Sequence, residues 1–155
     1  SRFYAVLIGI DEYASYQLQG CVSDVRLMEK YLTEHLGVPR NRIQLLVGST
    51  EHKFPADPMY PSHTHITGTL LSIIDNSEIL DGNNIIIYYS GHGSCYPFKG
   101  KDDETEYIES LCPIDRDTAG DDGKSVTDIS DQELNAILKQ ISQVKGHRIT
   151  VILDC

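Results

Sequence analysis

Two side chains with complementary chemistry each follow an apolar segment of the sequence. His92 lies between two glycines in "YYSGHGS", and Cys155 ends the segment "ITVILDC". A histidine flanked by glycines is exposed and closely approachable, as a general base must be. A cysteine beside an imidazole can lose its proton and become the thiolate that attacks a carbonyl carbon. The pair predicts nucleophilic chemistry; the alternative for His92 is a loop histidine that only hydrogen-bonds a carbonyl.

The other cysteines are weaker candidates for the nucleophile. Cys95 lies three residues after His92, and residues so close on a loop tend to point apart, so it ranks second. Cys112 in "SLCPI" is expected to be a small, buried and inert thiol. The chain has four widely spaced cysteines and no CxxC pair, which argues against a zinc knuckle or a disulfide scaffold.

Four short apolar runs, with helical patterns between them, would position these side chains. The runs are rich in β-branched and aromatic residues, which is typical of parallel strands covered on both faces. One helix is predicted from Ser23 or Asp24 as N-cap to Gly37, another in "THITGTLLSIIDNS", and a third from Ser130, where Glu133 completes a capping box. The strands are predicted at Phe3 to Ile10, Ile43 to Val47, Ile85 to Tyr89 and Ile149 to Leu153.

This alternation predicts a single α/β domain with a mostly parallel sheet and helices on both faces. Two insertions interrupt it: the proline-containing loop "GSTEHKFPADPMYPSH", and an acidic stretch after Tyr96 in which "YIESLCPI" is predicted as a small hairpin strand. Ligands bind at the carboxyl ends of strands in such sheets. Neighbouring strands lie about 4.8 Å apart, so His92 and Cys155 could reach one substrate atom if their strands are adjacent.

The charge distribution excludes several partners. The net charge is −10, and the segment from Lys101 to Glu133 alone holds 12 acidic and 3 basic residues. Nucleic acid is not expected as a partner because phosphate binding needs a basic face. No apolar run approaches the roughly 20 residues of a membrane span, so we expect no membrane association and a cytoplasmic or nuclear location. Neither GxxxxGK[ST] nor GxGxxG follows the first strand, which argues against a nucleotide-binding domain.

Five segments together resemble the caspase-like cysteine peptidases, and more specifically the metacaspases of fungi, plants and protists. They are "FYAVLIGIDEY", "GCVSDVRLMEKYL", "IIIYYSGHGS", "YIESLCPID" and "ITVILDC", and they cover nearly the whole chain. The resemblance implies a caspase-like three-layer sandwich in which residues 1–155 form the large-subunit part, truncated at the catalytic cysteine. It also implies that a His-Ser-Gly segment and a small subunit follow Cys155.

The resemblance also implies roles for individual residues. His92 matches the family's catalytic histidine and Cys155 its nucleophile, with no third carboxylate required. The backbone N–H groups of Gly93 and Cys155 match the oxyanion hole. Such donors are typically worth about 3 kcal/mol each in the transition state.

Metacaspases cut after Arg or Lys rather than Asp, using an acidic primary pocket. Two carboxylates in such a pocket repel each other until a basic side chain arrives. For Asp24 a helix N-cap is the structural alternative, whereas a carboxylate that ends a buried strand, such as Asp154, needs a partner. The residues that match the pocket are Cys21, Asp24, Ser90 and Asp154.

The match to the family's calcium site is incomplete. At the three matching positions this sequence has Ile108, Asp131 and Gln132, so one carboxylate of three remains. We therefore expect no required cofactor. Five other acidic residues remain candidates for weak calcium binding through their oxygen atoms: Asp102, Asp103, Glu104, Asp121 and Asp122.

The sequence thus predicts a cysteine endopeptidase of metacaspase type. Its expected partners are protein or peptide substrates with a basic residue before the cleaved bond, and a second chain or segment that completes the fold. The alternative is a catalytically silent caspase-like domain that acts as an interaction module.

Overall fold

The main sheet of the domain is parallel and contains the four predicted strands. The computed structural model describes residues 1–155. The strands are β1 (Phe3–Ile10), β2 (Ile43–Gly48), β3 (Asn84–Ser90), β4 (Gly93–Lys99), β5 (Thr105–Leu111), β6 (Ile129–Ser130) and β7 (Ile149–Asp154). The main sheet has the order β2-β1-β3-β7, with every pair parallel. Because β3 and β7 are neighbours, the segments that carry His92 and Cys155 leave the sheet side by side.

Three helices cover the two faces of this sheet, as predicted. They are α1 (Cys21–Glu34), α2 (His63–Asp75) and α3 (Asp131–Lys145). On one face, Val25 and Leu32 of α1 pack against Leu7 in a cluster of eight buried residues. On the other face, α2 and α3 contribute Ile73 and Ile141 to a cluster of 18 buried residues. The caspase-like layering of helix, sheet and helix is therefore present.

The start of α1 differs from the prediction. The helix begins at Cys21, so neither Ser23 nor Asp24 is its N-cap. The carboxylate of Asp11, which follows β1, accepts hydrogen bonds from the N–H groups of Cys21 (3.0 Å) and Val22 (3.4 Å). A side chain ten residues upstream thus serves the helix N-terminus, which a local capping pattern does not reveal.

The start of α3 agrees with the prediction for Ser130 but not for Glu133. The Ser130 hydroxyl accepts the N–H of Glu133 at 3.1 Å. The Glu133 side chain does not return to Ser130, as it would in a capping box, but contacts His63 at 3.0 Å. The cap therefore stabilises α3 while Glu133 joins α3 to α2.

A second, antiparallel sheet follows the histidine. The predicted hairpin strand is β5, and its partner β4 begins at Gly93, the residue after His92. Strand β4 is not predicted by the sequence pattern, because its side chains are mostly exposed and show little apolar alternation. The hairpin therefore extends directly from the histidine loop.

Strand β7 is less covered than expected. It lies at the end of the main sheet, and Ile152 and Leu153 are 38% and 49% exposed. The prediction of strands covered on both faces is wrong for β7. Ile149 and Val151 pack against the larger buried cluster, whereas Ile152, on the opposite face, is exposed. No helix in the structure combines the length and the apolar character needed to cross a membrane.

Candidate active site

The candidate nucleophile and the histidine loop meet at the carboxyl ends of β3 and β7. Ser90 and Asp154 are directly paired across the two strands. Beyond them, a Cβ placed on Gly93 would lie 3.2 Å from the Cys155 sulfur, so the thiol packs against this glycine. The structure thus brings the His92 loop, Gly93 and Cys155 together, as expected from the sequence.

The imidazole of His92 has one nitrogen engaged. Its Nε2 lies 2.5 Å from the backbone carbonyl of Tyr16. A carbonyl oxygen can only accept, so Nε2 carries the proton and, in the neutral ring, Nδ1 keeps its lone pair. No hydrogen bond joins His92 to Cys155 in the structure. His92 therefore does hydrogen-bond a carbonyl, as the alternative prediction stated. This bond occupies Nε2 and leaves Nδ1 free to act as a base.

The carbonyl group that orients His92 belongs to Tyr16, a residue with an unusual backbone conformation. Tyr16 has a φ of 56°, in the left-handed region that residues other than glycine rarely adopt. Such a conformation typically costs about 1–3 kcal/mol and needs support from its surroundings. No sequence pattern indicates this conformation, since Tyr16 lies in a short loop without a turn motif.

Two buried tyrosines, which no sequence motif indicates as functional, support the histidine loop. The Tyr13 hydroxyl accepts the N–H of His92 at 2.9 Å, and the Tyr89 hydroxyl donates to the His92 carbonyl at 2.7 Å. Their presence in "IDEY" and "YYSGHG" is visible in the sequence, but their convergence is not. They connect the loop after β1 with the loop after β3.

The four residues predicted for an acidic pocket lie around the same strand ends. Cys21 begins α1 above the sheet, and its thiol lies near Ser90, Asp11 and Asp154. Burial raises the pKa of the Cys21 thiol, a hydrogen bond with Ser90 opposes the shift, and the charge of Asp11 adds to it. Cys21 is therefore a protonated, neutral group in this surrounding.

Tyr88 lies near both predicted pocket carboxylates, Asp24 and Asp154. Burial raises the pKa of Tyr88, and the negative charges of Asp154 and Asp24 raise it further. Its hydroxyl lies 3.5 Å from the Asp154 carboxylate, a long contact. Neither carboxylate takes part in any of the eight salt bridges of the structure. Tyr88 and the nearby Asp11 are members of this cluster that the sequence analysis missed.

A groove of about 450 Å³ lies beside Cys155. Cys95, the second candidate nucleophile, is exposed and lines this groove together with Cys155. Cys112 is completely buried, and burial raises the pKa of its thiol, which agrees with the prediction of an inert residue. The geometry therefore leaves two thiols at the groove, of which Cys155 is the one at the strand end beside Gly93.

The positions that match the family's calcium site lie near one another but carry too few carboxylates. Ser130, directly before Asp131, pairs with Ser110 of β5, two residues after Ile108, and Asp131 is the one acidic residue of the three positions. The structure contains no group of three or more His, Cys, Asp or Glu side chains that could hold a metal ion. The other carboxylates considered lie in exposed segments at the hairpin turn and in the following loop: Asp102, Asp103, Glu104, Asp121 and Asp122.

Comparison with known proteins identifies the family. The family model described as "Metacaspase, peptidase C14 domain" matches residues 4–155. Metacaspase-4 of Arabidopsis thaliana is 33% identical over 76% of this chain, and Metacaspase-1A of Aspergillus oryzae is 30% identical over 97% of it. The chain belongs to the metacaspase family of C14 peptidase domains.

The matches also define how much of the family's proteins the chain represents. It spans 27% of the Arabidopsis protein and 33% of the Aspergillus protein. A crystal structure of a protein from Geobacter sulfurreducens superposes with a TM-score of 0.64 at 16% identity, covering 97% of this chain and 48% of that one. This likeness supports the fold alone.

Proposed function

We propose that this chain is the catalytic part of a cysteine endopeptidase that cleaves peptide bonds after Arg or Lys. The observation that carries the proposal is the meeting of Cys155, Gly93 and His92 at adjacent strand ends, next to a cluster of unpaired carboxylates. Membership of the metacaspase family supports the peptidase class. The resemblance to the metacaspases suggests the dyad and the basic specificity, and the positions of these residues at neighbouring strand ends support both.

The proposed dyad uses the free nitrogen of His92. With Nε2 donating to the Tyr16 carbonyl, Nδ1 takes the proton of the Cys155 thiol as the sulfur attacks the substrate carbonyl. The sulfur–carbon bond forms while the carbonyl π electrons move to oxygen. The negative oxygen is held by the N–H groups of Gly93 and Cys155.

The tetrahedral intermediate then collapses. The bond to nitrogen breaks, and the imidazolium of His92 gives its proton to the departing amine, which leaves a thioester on Cys155. A water molecule, deprotonated by His92, attacks the thioester and releases the carboxylic acid and the thiol. The cycle consumes one water molecule for each bond cleaved and needs no cofactor, so calcium would act only as a modulator.

Specificity would arise from the carboxylates at the strand ends. Asp24 and Asp154 are both close enough to Tyr88 for their charges to act on it, and neither has a cation of its own within the chain. A guanidinium or ammonium group can hydrogen-bond to both and relieve their mutual repulsion. The neutral Cys21 thiol and the Ser90 hydroxyl would line the same pocket and add hydrogen-bonding partners. The preferred substrates are therefore proteins or peptides with a basic residue before the cleaved bond.

A further segment or chain would complete the fold at β7. The outer edge of this strand has no neighbour, and its N–H and C=O groups are free to pair. Leu138, Ile149 and Val151 line a shallow groove beside it. We infer that the small subunit implied by the family adds its strands at this edge.

The proposal is tested by assaying the full-length protein with fluorogenic peptides that carry Arg, Lys or Asp directly before the leaving group. We expect cleavage after Arg and Lys and none after Asp. Cys155→Ala should abolish turnover, whereas the matched variant Cys95→Ala should retain it. Unchanged turnover in Cys155→Ala would contradict the assignment of the nucleophile.

A covalent probe separates the peptidase from a silent interaction domain. An arginyl fluoromethyl ketone peptide should label Cys155 in the wild-type protein and leave the Cys155→Ala variant unlabelled. The absence of labelling in the wild-type protein would favour the interaction module. Repeating both assays with a calcium chelator shows whether the ion modulates the activity.

A further inference from the structure

Two tyrosine hydroxyls lie buried beneath the catalytic loop and take no part in the proposed chemistry. Tyr13, in the loop after β1, is 2% exposed, and Tyr89, at the end of β3, is completely buried. Their oxygens are 3.1 Å apart. Burying a hydroxyl is costly unless it is hydrogen-bonded, so the partners of this pair indicate what it does.

Both hydroxyls bond to the backbone of the histidine itself. The Tyr13 oxygen accepts the His92 N–H at 2.9 Å, and the Tyr89 hydroxyl donates to the His92 carbonyl at 2.7 Å. Tyr13 can donate its own proton to the carbonyl of Cys112 at 2.9 Å. The N–H of Cys112 in turn donates to the His92 carbonyl at 3.0 Å. The peptide groups on both sides of the His92 side chain are thus fixed by the tyrosine pair.

The Tyr13 ring also contacts the imidazole. The two ring centroids are 4.6 Å apart, with the planes tilted by 51°. Three residues further along the same loop, the Tyr16 carbonyl holds Nε2. One loop therefore fixes the His92 backbone, one side of its ring and one of its nitrogens, and together these contacts determine where Nδ1 points.

The sequence between Tyr89 and His92 fits this arrangement. A Cβ on Gly91 would lie 2.6 Å from the Tyr13 oxygen and 2.8 Å from the Tyr89 oxygen, closer than real contacts allow. Any larger residue at position 91 would displace the hydroxyls from the His92 backbone. This glycine is required by the tyrosine pair and not by a left-handed backbone conformation.

We propose that Tyr13, supported by Tyr89, is a positioning residue for His92, which aims Nδ1 at the Cys155 thiol. It acts through the histidine and does not contact the substrate. Loss of its hydroxyl leaves the His92 N–H without a partner and allows the imidazole to turn away. The effect falls on kcat and not on KM. The inference rests on the proposed dyad of His92 and Cys155.

The test compares three Tyr→Phe variants in the full-length protein. Tyr13→Phe should lower kcat about tenfold with KM changed less than about twofold, since one hydrogen bond is worth about one decade in rate. Tyr89→Phe should show a smaller loss of the same kind. Tyr4→Phe is the matched control: Tyr4 is also buried and belongs to β1, but it lies near Gln44 and Asn76 at the opposite end of the sheet.

A second measurement reports the dyad without any substrate. Iodoacetamide alkylates Cys155 at a rate that depends on proton removal by His92, and mass spectrometry of the Cys155 peptide follows it separately from Cys21 and Cys95. Tyr13→Phe should slow the alkylation about fivefold to tenfold, whereas Tyr4→Phe should leave it unchanged. His92→Ala sets the lower limit of the rate.

The outcomes separate this inference from the proposed function. Unchanged kcat and alkylation rate in Tyr13→Phe, or an equal loss in Tyr4→Phe, would overturn the positioning role even if the protein is a peptidase. Turnover that does not depend on Cys155 would overturn the proposed function, and an alkylation rate equal in wild type and His92→Ala would overturn the dyad and the inference with it.

Discussion

The two ends of the parallel sheet differ in whether their charged side chains have partners within the chain. At the amino ends of the strands, Lys145 donates to the carbonyls of Asn76 and Ile79, each at 2.8 Å. Arg42 similarly bonds to three acceptors around the start of β1 and β3. Lys145 and Arg42 both have partners within the chain, so these two cations contribute to stability.

At the carboxyl ends of the strands, two charged side chains lack partners of opposite charge. Asp24 and Asp154 have no cation, and Cys155 has no hydrogen-bond partner. The same end contains one completed network, the Tyr13 and Tyr89 pair, which holds the loop of His92. The comparison indicates that satisfied polar groups fix geometry, while unsatisfied ones at the same edge are available for binding and chemistry.

The largest expected effect is on stability and comes from the amino end. Lys145→Met keeps most of the side-chain volume but leaves two carbonyls without a charged donor, so the free energy of unfolding should fall by about 3 kcal/mol. Urea unfolding of the full-length protein measures it. Lys139→Met, on the exposed face of the same helix, is the control and should change little. A Lys145→Met protein as stable as the wild type would contradict the comparison.

A somewhat smaller effect is expected at the carboxyl end, and on activity only. Asp154→Asn removes one of the two pocket carboxylates, so kcat/KM for arginyl peptides should fall about 30-fold, or about 2 kcal/mol. The free energy of unfolding should stay equal, because Asp154 is exposed and takes part in no salt bridge. Asp81→Asn, an exposed carboxylate elsewhere, should leave kcat/KM unchanged. If Asp154→Asn lowered the free energy of unfolding instead, the Asp154 carboxylate would have a stabilising partner within the protein, which would contradict the comparison.

The smallest effect depends on pH and concerns an ion pair near the carboxyl end. His63 places Nδ1 2.8 Å from the Thr127 carbonyl and Nε2 3.0 Å from Glu133. Burial opposes the protonated form, but these hydrogen bonds and the charges of Glu133 and Asp115 outweigh it and raise the pKa of His63. The resulting stabilisation is fully present below about pH 6.5, the unfolded value, and is lost as the pH rises through the raised folded value.

His63→Gln measures this contribution. The variant should be less stable than the wild type by about 1 kcal/mol at pH 6, and the difference should shrink at pH 9. Chemical unfolding at both pH values gives the two free energies. A difference that stays the same at both pH values would mean that the protonated imidazole is not the stabilising form.

Local patterns predicted the main sheet well. The predicted runs match β1, β2, β3 and β7 to within one residue at each end, because buried parallel strands are continuous apolar segments bounded by polar residues. The cap at Ser130 was found for a similar reason, since an N-cap acts within three residues. The cap of α1 by Asp11 and the hairpin strand β4 were missed, as neither has a local signal.

The sequence by itself determined the α/β class, the strand ends and the residue types that stand there, including His92 and Cys155. Only the tertiary structure decided that β3 and β7 are neighbours, that the Tyr16 carbonyl occupies Nε2, and that the Tyr13 hydroxyl reaches the His92 backbone. The two hydrogen bonds join His92 to residues that lie 76 and 79 positions away in the sequence. Periodicity and capping report interactions over a few residues, whereas the aim of a catalytic side chain depends on hydrogen bonds that exist only after the chain has folded.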